Sequence, residues 1–486
     1  MHEKYLVTPA LPYANGPIHL GHLVEHVQVN IFVRALRMAG KDVLYICGAD
    51  SHGTPIEMSA HKASVSPAEF AFHWQENQAK SFLKFFIEFD GGYGSTHTKE
   101  NAVHAYQIFA ALKEKGLIKK REIEQLYDPE LKRFLPDRMV KGICPNCKAP
   151  DQYGDACEKC GRTYHPTDLI NPKSALSGAT PVLKRSEHYF VSLSALEPKI
   201  KDWINRPHTI HEDTKAYLRH WFDEGLKDWD ISRDGPYFGI LIPGESDKYF
   251  YVWLDATIGY ISISEKAAKL IGRSFADYWL DPKTKIIHFI GKDIVYFHTL
   301  FWPAMLLSAG YTLPSQIVVH GMLTVDGEKM SKSRGTFIEA DTFAKHFGAE
   351  ALRYYYACKL SPRSEDLDLN LGDLIQRVNT DLVNKIVNLI SRALPLLHRF
   401  FDGRARALRA DNPFVLKAKE LVKTVEAHYL ENEPGKAMHE IVRFAEEGNK
   451  YLQDQAPWKL ASSDPDKAQE IISTGLYVGK VCFGLL

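Results

Sequence analysis

The sequence predicts an α/β protein in which a parallel-sheet domain is split by a cysteine-rich insertion and followed by an α-helical bundle. Three observations lead there. Strands alternate with helices over residues 4–116 and again over roughly 249–321, four cysteines cluster between those stretches, and helical periodicity takes over after Lys329.

The first element is the apolar strand Tyr5-Leu6-Val7-Thr8, followed by the proline- and glycine-bearing loop 9–17. A helix is expected over about 18–39: Leu20, Leu23, Val27, Ile31 and Ala35 recur at helical spacing, and Gly40 ends it. Val43–Gly48 reads as the next strand and leads into Ala49-Asp50-Ser51-His52-Gly53. Parallel strands joined by helices place ligands at their carboxyl ends. From 117 to 228 the rhythm changes to Cys/Pro/Gly turns, short aromatic strands and a helical stretch at 218–226, which marks an insertion. The α/β pattern returns at Tyr249–Leu254, with a buried strand at 285–291, a helix through Phe301 and Met305, and a last strand at 317–321. Residues 373–397, 413–429, 433–453 and 466–486 read as bundle helices. The apolar end 478–486 has no cap, so the chain is expected to stop within a domain, truncated at its C-terminus. The expected divisions are 1–116 and 231–325 for the two halves of the sheet domain, 117–230 for the insertion, 326–385 for a following loop and stem-contact region, and 386–486 for the helical domain.

Bulk properties exclude several classes. A chain of 486 residues exceeds one compact core. Its 60 basic and 60 acidic residues cancel, so overall basicity cannot be its grip on nucleic acid, although a local basic groove can still neutralise phosphates. No apolar run approaches bilayer length, and Met1–Tyr5 passes straight into a strand with no signal-peptide layout, so the expectation is no membrane and a cytoplasmic location.

Two segments suit phosphate. His19-Leu20-Gly21-His22 opens a helix just after a strand; unpaired N–H groups there attract anions, two imidazoles add donors, and Gly21 admits a flat group close to the backbone. Alone, the tetrapeptide is equally two solvated histidines near a cap. Lys329-Met330-Ser331-Lys332-Ser333, between Gly327 and Gly335, follows a strand and suits a mobile clamp for a leaving pyrophosphate; a solvated basic loop is the lesser alternative. Their order, each after a strand, favours the joint reading. Cys144, Cys147, Cys157 and Cys160 form C-x2-C-x9-C-x2-C, a closed four-sulfur shell suited to one structural Zn2+. The other cysteines, Cys47, Cys358 and Cys482, are scattered, which speaks against a disulfide scaffold.

With both phosphate motifs in hand, the chain resembles the class I aminoacyl-tRNA synthetases, and it is similar to their methionine-specific branch along essentially its whole length. The similarity extends to Ala10–Gly16, Asp230–Asp234, Tyr251–Asp255 and Gly291–His298. The resemblance implies a Rossmann-like catalytic domain, a zinc-bearing connective insertion and an anticodon-binding bundle. It implies ATP-dependent activation of L-methionine to methionyl-adenylate and transfer to the 3' end of tRNA(Met), for initiation and elongation, with Mg2+ accompanying ATP. His19, Gly21, His22, Gly291, Asp293, Lys329 and Lys332 would bind ATP, and His19, His22, Lys329, Lys332 and Arg233 would act on the reacting groups. Ala10, Leu11, Tyr13, Trp253, Ala256, Tyr260, Ile294, His298 and Trp302 would line the methionine side-chain pocket, where aromatic rings meet a thioether favourably. Asp50, at a strand end, could pair with the ammonium. Thr257 departs from the proline that the branch usually has after Asp-Ala. Asn388, Arg392 and Trp458 match anticodon readers; from spacing alone Trp458 is a bundle-core residue. A monomer is expected. Rival readings are a class I enzyme for leucine, isoleucine, valine or cysteine, a non-catalytic tRNA-binding paralogue, and a zinc-bearing interaction module; the segment 117–228 is too short for the editing insertion of a valine or isoleucine enzyme.

Overall fold

A computed structural model of the chain describes residues 3–136, 139–154, 157, 159, 160, 162, 164–330 and 336–486. Its centre is a four-stranded, all-parallel sheet formed by β1 (Lys4–Pro9), β2 (Asp42–Tyr45), β3 (Lys285–Gly291) and β4 (Gln316–His320), in the order β4-β3-β1-β2. Tyr5 stands opposite Val43 on one side and Lys285 on the other, and Ile287 stands opposite Gln316. Helices cover both faces, so these strands read as nearly continuous apolar runs; six of the seven residues of β3 are buried. The chain winds outward from β1 to β2 and, after the insertion, from β3 to β4. The order therefore reverses between β1 and β3, and a crevice opens at the carboxyl ends of those two strands.

Helix α1 (Leu20–Met38) follows β1 and packs on the sheet through Leu20, Leu23, Val27 and Phe32. It begins later than the expected 18–39 because His19 is its cap, not its first turn. Helix α2 (Val252–Leu270) enters from a short hairpin of Ser232–Asp234 with Lys248–Phe250, and α3 (Trp302–Ala309) precedes β4. Both fill the other face, with Leu254, Ile258, Ile261 and Trp302 in one core.

The insertion is built on two long antiparallel strands, Ile118–Asp128 and Val182–Val191, paired along their length. They carry a small sheet of Gln152–Tyr153, Val140–Ile143 and Ile170–Ser174. The helix expected at 218–226 is Glu212–Asp223: the His211 side chain caps its first turn, and Gly225, at φ 75°, ends it.

Four helices, Asn388–Phe401, Pro413–Leu430, Pro434–Gln455 and Pro465–Leu485, form the bundle core around Leu389, Ile441, Ile472 and Val478. Three open on proline, whose fixed φ and missing N–H suit a first turn. Gly479 lets the last helix approach closely, since a Cβ there would lie 2.2 Å from Ile390. The stretch expected as one helix at 373–397 runs from Leu371 to Phe401 with a π-helical segment, Val378–Val387, in its middle. The bundle seats on α1, which touches both Ala349–Lys359 and Pro413–Leu430. Among the described residues, no helix is long and apolar enough to cross a membrane.

Candidate active site

The first phosphate motif is preorganised by its own histidines. His19 lies extended at the N-cap of α1, its Nδ1 accepts from the His22 amide at 3.4 Å, and the His22 Nδ1 accepts from the His19 amide at 3.2 Å. The rings stack with centroids 3.7 Å apart. Burial, together with the neighbouring His19 and His26, holds His22 well below the usual imidazole range, so it stays neutral. With Nδ1 accepting, each ring carries a proton on Nε2, a donor suited to a phosphate oxygen.

The second motif comes to the first. Ile338 and Ala340 pair with the chain beside His19: Leu20 N donates to Ile338 O at 3.1 Å and Ala340 N to Ile18 O at 2.9 Å, with His19 and Glu339 bridged antiparallel. Phe337 lies edge-on to the His19 ring at 5.2 Å. Met330 reaches over the helix start, its Cε 2.8 Å from where a Cβ would stand on Gly21. Thr336 Oγ1 donates to Lys329 O at 3.0 Å, which brings the two ends of the lysine loop together. Lys329 is exposed at the end of the strand Glu328–Lys329. Lys332 lies outside the described residues.

A buried clamp crosses the switch point. Glu25 on α1 accepts from Ala10 N at 2.6 Å and meets His320 Nε2, at the end of β4, at 2.9 Å, while His320 Nδ1 donates to Gly321 O. Burial raises Glu25; burial also opposes charge on His320, but the bond to Glu25 carries that ring upward, so the pair holds a shared proton. Nothing in the local pattern around Glu25 or His320 marks them, because the contact spans 295 positions. Gly291, at the end of β3, keeps open the space that a Cβ would close at 2.6 Å from Asp293 Oδ1.

Beyond the phosphate end lies a cleft of about 770 Å³, lined among others by Leu11, Tyr13, Asp50, Arg233, Tyr251 and Trp253. Asp50 is held by backbone bonds to the loop after β1 (Ala14 N to Asp50 O, 2.8 Å; Asp50 N to Pro12 O, 2.9 Å). Its Oδ1 is buried without a hydrogen-bond partner, and burial together with the charge of Asp255 pushes its pKa well up. A desolvated carboxyl with an empty oxygen is suited to an arriving cation. Arg233 stacks on Tyr251 at 3.8 Å and donates to Ser232 O.

Of the expected side-chain pocket, Leu11, Tyr13 and Trp253 line this cleft, whereas Tyr260, His298 and Trp302 are buried and are not among its lining residues. Trp253 stacks on Phe297 at 3.8 Å and 10°. His298 Nδ1 donates to Ile294 O at 3.1 Å, which leaves Nε2 to accept from Tyr260 Oη at 2.8 Å, and burial takes this imidazole down to about 4. Trp302 Nε1 donates to His288 Nε2 at 3.1 Å, with Thr8 Oγ1 on the other ring nitrogen. Thr257 keeps its place within α2 and turns its hydroxyl back to Trp253 O and Leu254 O, 3.3 Å each, so the first turn carrying Trp253 gains bonds that a proline could not make. Ala256 is buried on the same helix, and Ala10 and Leu11 pack against the same core.

The four cysteine sulfurs lie within 4.8 Å of one another, with Cys144–Cys160 at 3.9 Å and Cys147–Cys157 at 3.5 Å. Tetrahedral Zn–S bonds of about 2.3 Å require sulfurs about 3.8 Å apart, and a closed S4 shell is structural. The Cys147 and Cys160 amides point at Cys144 and Cys157 Sγ, both at 3.4 Å, in support of thiolates. The donor set fits zinc.

In the bundle, Asn388 and Arg392 stand one turn apart, and Arg392 donates to Gln453 Oε1 at 2.6 Å, near the end of the helix that leads to Trp458. Trp458 is 38% exposed on the short helix Pro457–Leu460, which corrects the core placement expected from spacing. Ala456, left-handed at φ 41°, turns the chain there.

Residues 5–394 match the family described as "tRNA synthetases class I (M)", and residues 405–483 match the "Anticodon binding domain of methionyl tRNA ligase". Among solved structures, the chain is similar to Mycobacterium tuberculosis methionyl-tRNA synthetase in complex with methionyl-adenylate, at 26% identity and a TM-score of 0.80, covering 100% of this chain and 91% of that one. A second structure of the Mycobacterium tuberculosis enzyme bound by methionyl-adenylate aligns at 25% identity and a TM-score of 0.79, over 99% and 91% of the two chains.

Proposed function

The chain belongs to the class I tRNA synthetases of the (M) type, and from that premise we infer that it activates L-methionine with ATP and charges methionine tRNA. The observation that carries the site reading is the joining of two distant segments: Ile338–Ala340 pairs beside His19, and Met330 covers Gly21.

In the first step the methionine carboxylate attacks the α-phosphorus, a carboxylate O–P bond forms, and the bond to the pyrophosphate oxygen breaks. In the second, the terminal ribose hydroxyl of tRNA attacks the methionyl carbonyl and AMP leaves. Neither step needs a protein nucleophile, so positioning and charge stabilisation do the work. The Nε2–H groups of His19 and His22 donate to the triphosphate at the α1 N-terminus, and Gly21 keeps that surface open. Lys329, with Lys332 from the same loop, meets the charge that develops on the departing pyrophosphate. Magnesium bound with ATP would supply further neutralisation of that charge. Gly291 and Asp293 receive the nucleotide at the switch point, and Arg233 stands near the reacting carboxylate.

Asp50 takes the methionine ammonium. The side chain then runs along the wall of Ala10, Leu11, Tyr13, Trp253, Ala256, Tyr260, Ile294, His298 and Trp302. The Tyr260–His298–Ile294 chain satisfies its own polar atoms, which leaves none of them to compete for a thioether's apolar surroundings. Cys144, Cys147, Cys157 and Cys160 would hold one zinc, which would order the insertion near the acceptor end of the tRNA, while Asn388, Arg392 and the exposed indole of Trp458 read unpaired anticodon bases. ATP–pyrophosphate exchange measured against each of the twenty amino acids tests the assignment. Exchange with methionine far above all others is expected; a different preferred amino acid, or none, refutes it.

A further inference from the structure

We propose that Asp255, held by His52, which His97 holds in turn, supplies a second negative charge to the pocket for the methionine ammonium, acting through space and not by contact. This rests on the reading that the cleft takes methionine.

Asp255 lies on the first turn of α2, wholly buried, and its Oδ1 has no hydrogen-bond partner, as is also true of Asp50 Oδ1. Its other oxygen, Oδ2, meets His52 Nδ1 at 3.2 Å, and His52 Nε2 meets His97 Nδ1 at 2.9 Å. His52 is buried and His97 is exposed, so the chain of bonds runs from an interior carboxylate to the surface. Phe238 lies against both rings, each at 5.1 Å, and Asn101 Nδ2 donates to Asp255 O. The backbone ties this unit to the cleft: Tyr13 Oη donates to His52 O at 2.7 Å, and Gly53 N to Phe238 O at 2.8 Å. Tyr13 and Asp50 both line the cleft; burial raises the Asp255 carboxyl as it does that of Asp50, and His52 acts against that rise at Asp255.

Each of these two buried carboxyls leaves one oxygen without a partner and forgoes hydration there, and where both are charged they repel each other, a cost that an arriving cation offsets. Asp50 lines the cleft and can touch the ammonium. Asp255 does not line it, so its contribution is electrostatic, strengthened by the low local dielectric. His52 fixes the carboxylate orientation, and His97 satisfies the remaining ring nitrogen at the surface. Asp255, His52 and His97 are thus positioning residues, separate from the groups that touch substrate.

A ligand pair isolates the charge. L-methionine carries the ammonium; 4-(methylthio)butanoate lacks it and keeps the thioether and carboxylate. Dissociation constants for both are measured with wild-type, Asp255→Asn and His52→Gln protein, with ATP affinity and thermal unfolding as fold controls. Asp255→Asn is expected to weaken methionine about tenfold to a hundredfold and to leave the deaminated acid within about twofold of wild type. His52→Gln, which leaves the carboxylate in place, should show a smaller loss with the same selectivity. Equal weakening of both ligands would assign Asp255 a packing role and overturn the proposal, as would unchanged methionine affinity in Asp255→Asn. If folded wild-type protein shows no saturable methionine binding, the functional reading itself fails, which is a distinct result.

Discussion

At the scale of single residues, the cleft is organised by imidazoles whose protonation is set by burial and by the partner on each ring nitrogen. His22 and His298 are held neutral, whereas at His188 burial opposes the proton but bonds to Asp230 at 2.8 Å and Asp234 at 2.9 Å raise the pKa above the usual histidine value. A raised folded pKa contributes stability that is complete below the unfolded value of about 6.5 and is lost as pH rises through the folded value. His188→Gln should therefore cost about 1–3 kcal/mol at pH 6 and markedly less at pH 9, read from denaturant unfolding at the two pH values; a cost that grows with pH would contradict the assignment. Gly21 supplies a second test. A methyl there meets Met330 and the His19 ring, so Gly21→Ala should lower methionine-dependent exchange about tenfold to a hundredfold with unfolding unchanged; near-normal exchange would mean the loop gives way freely. Residues of this kind divide sharply in how far the sequence announces them. Asp50 sits where a strand ends and is legible from that alone. Asp255 and His52, 203 positions apart, and Glu25 and His320, 295 apart, carry no local signal, since only tertiary packing brings them within a hydrogen bond.

Among the elements, the cysteine knuckle and the Trp458 turn are attached units whose loss should leave the sheet domain standing. The knuckle's own apolar support is small, chiefly Leu126, Leu135, Met139, Val140 and Leu169, so a metal should supply much of its order. Removing zinc with a chelator, or replacing Cys144 with serine, is expected to expose the 140–174 segment to hydrogen exchange while α1 and β1 stay protected; unchanged exchange in 140–174 would show that the metal is dispensable there. Because Trp458 is partly exposed, Trp458→Ala should spare adenylate formation and shift the melting temperature little, yet weaken tRNA charging severely; a parallel loss in both assays would mark it as a core residue after all. Element type was readable from periodicity and from Pro and Gly placement, as the openings Pro413, Pro434 and Pro465 illustrate. Boundaries moved where a side chain caps the backbone: His19 delays α1 and His211 advances the helix Glu212–Asp223. The π-helical segment Val378–Val387 keeps helical spacing and so has no signature of its own in the pattern.

For the whole molecule, the parallel sheet is assembled from two separated pieces of chain, and its switch point becomes a site only because β3 and β4 return beside β1 after the insertion. The split was foreseeable from where the α/β rhythm stops and resumes. The strand order was not, because pairing between Tyr5 and Lys285 is a matter of topology that local composition does not encode. The same return carries the flanks of the lysine loop, Met330 and Ile338–Ala340, to the start of α1, and the shared phosphate site depends on that meeting. Its most direct test is a crystal structure with methionine, magnesium and a non-hydrolysable ATP analogue. The account predicts one triphosphate contacted both by His19 and His22 and by the ammonium groups of Lys329 and Lys332. A triphosphate held by the histidines alone, with the lysine loop turned away to solvent, would contradict it.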